Sequence, residues 1–170
     1  MLQPNAQLSP EKAADADRTS LKLVDSPVKL PYYPNIKIAC GHFKTGDASY
    51  VEYLDAPQGA GKLDPNTHFL ARASGNSMNG GKNPIRDDDL LLLEWITSDK
   101  AGSLQGLTVA IEQDGVSGES QYLLRTVKKL ADGQYQLIAN NPDYAAITAN
   151  EGMRTFARLK QVVDDEMGMQ

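Results

Sequence analysis

The chain has 170 residues, 41% of them hydrophobic, and a formal net charge of -5. This suits one domain with one sizeable core, and the acidic balance excludes a protein that holds nucleic acid mainly through a basic surface. The longest aliphatic run, residues 90–93, stops at Glu94, far short of a membrane span, and the first residues lack the basic and apolar regions of a secretory signal. The single cysteine, Cys40, excludes an internal disulfide and fits a reducing cytoplasm. His42 and His68 lack partners at metal-ligand spacing, so neither a metal nor another cofactor is expected.

Residues 1–28 are polar and small. Ser9 and Pro10 suit the cap and first position of a short helix, but the segment has little to bury and reads as a mobile arm. Pro31 and Pro34 make residues 30–34 extended. Residues 36–41, ending in Ala39-Cys40-Gly41, are expected to be extended too, a narrow segment suited to entering a cleft. Residues 47–54 read as a strand or short helix and 56–65 as a loop. Residues 69–73 and 90–96 read as strands around a corner rich in Gly, Asn, Ser and Asp.

That corner carries Gly75, Asn76, Ser77 and Met78. Glycine opens a backbone conformation closed to other residues, and the hydroxyl two positions later is presented at a tight bend. A serine at a strand exit, beside free N–H groups, suits a nucleophile with an oxyanion hole. Residues 107–113 and 121–130 read as strands joined by a long connection over 114–120. Along the second, Tyr122, Leu124, Thr126, Lys128 and Leu130 share one side. Lys128 thereby lies among apolar neighbours, and Arg125 and Lys129 point toward the expected solvent face. Residues 134–139 and 153–163 complete the strands, with a loop over 140–144 between them and an acidic tail beyond. Many short strands with turn signals between them predict a mainly β domain.

Over residues 30–163 these pieces resemble the LexA/UmuD-like self-cleaving Ser-Lys peptidases. Ala73-Ser74-Gly75-Asn76-Ser77-Met78, with Asp87-Asp88-Asp89-Leu90 after it, is similar to the family's nucleophile segment. Thr126-Val127-Lys128-Lys129-Leu130 resembles its lysine strand, Ala39-Cys40-Gly41 its cleavage site, and Asn140-Asn141-Pro142-Asp143-Tyr144 a loop that follows the lysine. The arm, which holds no DNA-binding domain, is most similar to that of the UmuD branch. Asn76 stands where the family usually has Asp, and Asp88 where it usually has Gly. The interval from Ser77 to Lys128 is longer than typical, the excess being assigned to the 114–120 connection.

The resemblance implies a domain of curled β-sheets over residues 41–165, a mobile arm over 1–40 and a tail over 166–170. Ser77 would be the nucleophile and Lys128 the general base, kept neutral by burial. The backbone N–H groups of Asn76 and Ser77 would form the oxyanion hole, and the chain would cut itself between Cys40 and Gly41. It also implies a cytoplasmic homodimer acting in a DNA-damage (SOS) or related stress response. A RecA filament would be its trigger and a DNA polymerase or other effector its partner, with no direct contact to nucleic acid or membrane. A second expectation, from a different class, is a homodimeric interaction platform that uses this fold without cutting. A signal-peptidase-like enzyme acting on other proteins is disfavoured, because no membrane anchor is present.

Overall fold

The computed structural model describes residues 28–46, 51–97, 103–115 and 118–164, leaving aside the side chain of His42. The expected helix start at Ser9, the arm over 1–27 and the tail over 166–170 lie outside the described residues. The elements run β1 (Lys29–Tyr33), α1 (Ile36–Thr45), β2 (Glu52–Asp55), β3 (His68–Arg72), β4 (Leu90–Trp95), β5 (Thr108–Asp114), β6 (Ser120–Lys129), β7 (Tyr135–Ile138), β8 (Ile147–Thr148) and β9 (Met153–Val163). The fold is mainly β, as expected, and among the described residues the strands form a nine-stranded sheet in the order β8-β7-β6-β5-β9-β4-β3-β1-β2. Every pairing is antiparallel except β1 with β3. Among the described residues, no helix is long and apolar enough to cross a membrane.

The centre of the sheet is covered on both faces. In β3 and β4, Phe69, Ala71, Leu91 and Leu93 enter one apolar cluster, and Leu70, Leu90 and Leu92 enter another. Burial on alternate faces explains why these strands read as unbroken apolar runs rather than as polar–apolar alternation. The same division reaches β5 and β6, where Ala110 and Leu124 join the first cluster while Val109, Ile111 and Val127 join a third. The long strand β9 pairs with β4 on one side and β5 on the other, through a register shift on each side. Such bulges bend a strand and increase its twist.

Part of the expected arm is structural. Strand β1 pairs with β2 and β3, and its Leu30 is fully buried. Residues 36–41, expected to be extended, lie instead in α1. Asn35 caps the helix, its Oδ1 accepting the Ile38 N–H at 2.9 Å. Ile36, Ala39 and Cys40 are buried, and Phe43 stacks on Trp95 with ring centroids 5.1 Å apart. The spacing 36, 39, 40, 43 is the apolar stripe of a helix.

Candidate functional site

The loop between β3 and β4 places Ser77. Gly75 adopts a left-handed φ of 85°, and its N–H donates to Asp87 Oδ1 at 2.7 Å. Asn76 Oδ1 accepts the Asp87 N–H at 3.3 Å and the Asn79 side-chain amide at 3.3 Å. An aspartate in that place would accept the same bonds, so Asn76 preserves the acceptor while removing a charge. Asp88 is also left-handed, with φ of 72°. Glycine favours this region of backbone space, and Asp is among the few other residues that tolerate it.

The loop after β7 holds the corner from the other side. Asn141 donates its backbone N–H to the Ser77 carbonyl at 2.9 Å and its side-chain amide to the Asn76 carbonyl at 3.0 Å. Gly80 lies against the same loop so closely that a Cβ would stand 2.5 Å from the Asn140 carbonyl oxygen. Among the described residues, the N–H groups of Asn76, Ser77 and Met78 make no hydrogen bond. Their carbonyls are gripped, and their donors are left for something else.

At the Ser77 hydroxyl the structure departs from expectation. Arg125, in the middle of β6, donates from Nη1 to Ser77 Oγ at 2.8 Å and to the Leu124 carbonyl at 2.9 Å. Its side chain was expected to face solvent, yet it is only 5% exposed. Tyr144 covers it, with the ring centroid 6.0 Å from Cζ. Burial lowers the Arg125 pKa from its ordinary value, and the Tyr144 hydroxyl opposes that shift. Among the described residues no carboxylate forms an ion pair with it, and its Nε is buried without a hydrogen bond.

Lys128 does not occupy the place expected of the base. It is solvent-exposed near the end of β6, paired in register with Gln136. It stands three positions from Arg125, an odd offset, so the two side chains leave opposite faces of the strand. The burial on which its role depended is therefore missing. Lys129 is exposed as well, with Nζ 6.0 Å from the Tyr135 ring centroid and its backbone N–H donated to Gln105.

The expected cleavage site is also placed otherwise. Cys40 is 1% exposed and Gly41 sits in mid-helix, its carbonyl accepting the Thr45 hydroxyl at 2.9 Å. Burial first, then the nearby Glu112 carboxylate, pushes the Cys40 thiol up to about 11. Glu112, itself 1% exposed, anchors the helix: Lys44 Nζ reaches its Oε2 at 2.9 Å and Arg154 Nη2 its Oε1 at 3.2 Å. Burial alone would raise the Glu112 pKa, but hydrogen bonds from Lys44 and Arg154 outweigh it and hold the value near 2. An open groove of about 470 Å³ lies between the start of α1, Ser74 and residues 120–123 of β6. Ser77 and Arg125 are not among its lining residues. They stand three positions beyond Ser74 and two beyond Leu123 on the same elements.

The sequence singles out the Ser77 corner as a candidate site but not Arg125, which the structure brings to the Ser77 hydroxyl. One signal lay in the chain: Leu123-Leu124-Arg125 offers a cation after two apolar residues, nearer to Ser77 in sequence than Lys128. No curated protein matches the chain. A family model described as Peptidase S24-like matches residues 31–163, from β1 through the Ser77 loop and the Arg125 strand to the end of β9, and the chain therefore belongs to the Peptidase S24-like family.

Proposed function

We propose that this chain is a non-cleaving member of its family, a homodimeric module that binds a peptide in the cleft where its relatives carry out hydrolysis. The observation that carries this reading is the 2.8 Å contact from Arg125 Nη1 to Ser77 Oγ. A guanidinium stays protonated at any physiological pH, so it cannot take the hydroxyl proton as a general base must. It also donates into a lone pair that an attacking oxygen would use. The helical, anchored state of the Cys40–Gly41 bond points the same way, because an extended backbone is what a strand-like cleft accepts.

Reaction with a fluorophosphonate probe, followed by intact mass, tests the proposal. Wild-type protein should remain whole from neutral pH to mildly alkaline pH, and Ser77 should stay unlabelled. Arg125→Lys should raise labelling of Ser77 by at least about tenfold, since a buried lysine can lose its proton. A wild-type fragment beginning at Gly41, abolished by Ser77→Ala, would refute the proposal.

The second reading is self-cleavage between Cys40 and Gly41 in the cytoplasm during an SOS-type response, triggered by a RecA filament and followed by binding to a polymerase or other effector. It draws on the family match and on the free N–H groups around Ser77. It requires α1 to unwind and a base other than Arg125 to reach the hydroxyl. Homodimerisation is common to both readings, and sedimentation showing only monomer at tens of micromolar would remove it.

A further inference from the structure

We propose that the cleft at Ser77 and Arg125 is a receptor for a free peptide C-terminus, whose carboxylate supplies the counter-ion that Arg125 lacks among the described residues. This rests on the non-cleaving reading above and adds what the cleft binds. Arg125 is a buried cation with no acidic partner among the described residues, and its Nε has no hydrogen bond. An uncompensated buried charge is unfavourable in the free protein and becomes favourable once an anion reaches it. Beside it lie the Ser77 hydroxyl and the unspent N–H groups of Asn76, Ser77 and Met78, the last two in a loop whose neighbouring carbonyls Asn141 holds.

Geometry selects the class of anion. A carboxylate is planar, carries one charge and has two oxygens, which matches one guanidinium plus hydroxyl and amide donors. A phosphate dianion would call for further cations, and the described loops at Ser77 and Asn141 supply none in contact with Arg125. The groove lined by Ser74, Gln121 and Leu123, three positions before Ser77 and two before Arg125 on the same elements, is where the preceding residues of such a peptide would lie. The Tyr144 ring over the guanidinium limits water and strengthens the ion pair. No bond is made or broken: the bound species resembles the acid product of peptide hydrolysis.

Amide and Arg Nε–H chemical shifts in ¹⁵N NMR titrations of the full chain test this, with N-acetyl-tetra-alanine as free acid, the same peptide as C-terminal amide, and inorganic phosphate. The acid should shift the signals of Asn76, Ser77, Met78 and Arg125 Nε–H saturably, with a dissociation constant at least about tenfold below that of the amide. Arg125→Gln, which removes the charge and keeps hydrogen-bonding atoms, should bring the two peptides to within about twofold. Equal binding of acid and amide, no response to the acid at tens of millimolar, or tighter binding of phosphate than of the acid would each overturn the proposal. Mass analysis separates this outcome from the reading beneath it: intact wild-type protein without a preference for the acid rejects the receptor and leaves the non-cleaving reading in place.

Discussion

Arg125→Met should make the protein more stable. The guanidinium is 5% exposed, lacks an acidic partner among the described residues and leaves Nε unsatisfied. An orphaned buried donor costs about 1–3 kcal/mol, and desolvating the charge costs several more before any repayment. Against this stand the two bonds from Nη1, to Ser77 Oγ and the Leu124 carbonyl, at about 1.5–3 kcal/mol each for a charged donor. Methionine fills a similar volume with no polar atom to satisfy. The net expectation is a gain of about 1–3 kcal/mol, the range seen when buried ionic groups give way to apolar ones. For a chain of this size that is a rise in Tm of roughly 2–12 °C. Urea unfolding at neutral pH, read by circular dichroism with m unchanged, is the suitable assay. A loss of 2 kcal/mol or more, about the worth of one charged hydrogen bond, would refute the reasoning, since it would mean that Arg125 has a counter-ion and the cleft no need of a ligand.

Glu112→Gln should cost about 1–2 kcal/mol, roughly half of what a fall from 4.5 to about 2 implies, because Lys44 and Arg154 are 51% and 52% exposed. The Glu112 pKa is depressed by folding, so its contribution is present above about 4.5 and disappears as pH falls toward 2; wild type and variant should converge in acid denaturation over that window. Gly80→Ala should destabilise by about 1–3 kcal/mol, measured by urea unfolding, because its Cβ meets the Asn140 carbonyl at 2.5 Å and must push the 140–144 loop off Ser77. Asp88→Gly should raise stability by about 0.5–1 kcal/mol in the same assay, relieving the left-handed strain at φ of 72°.

Local chemistry made much of the molecule legible in the sequence. Strand β9 was expected over 153–163 and spans Met153–Val163; β4 and β6 fall within a residue of the expected ends. The Ser77 corner could be found because Gly75 and the Asn- and Asp-rich loop act through bonds that close within a dozen residues. The helix α1 was missed although Ile36, Ala39, Cys40 and Phe43 have helical spacing. A stripe of four in a ten-residue segment is short enough to read either way, and its docking depends on Trp95 and Glu112, far along the chain. The partner of Ser77 was decided by tertiary structure alone. Alternation correctly separated Arg125 from Lys128, but it cannot say which face of β6 is covered at each point. Apolar clusters pack on both faces in the middle of that strand and give out toward its end. Arg125 therefore lies buried beneath Tyr144 against Ser77, while Lys128, three residues on, lies in water.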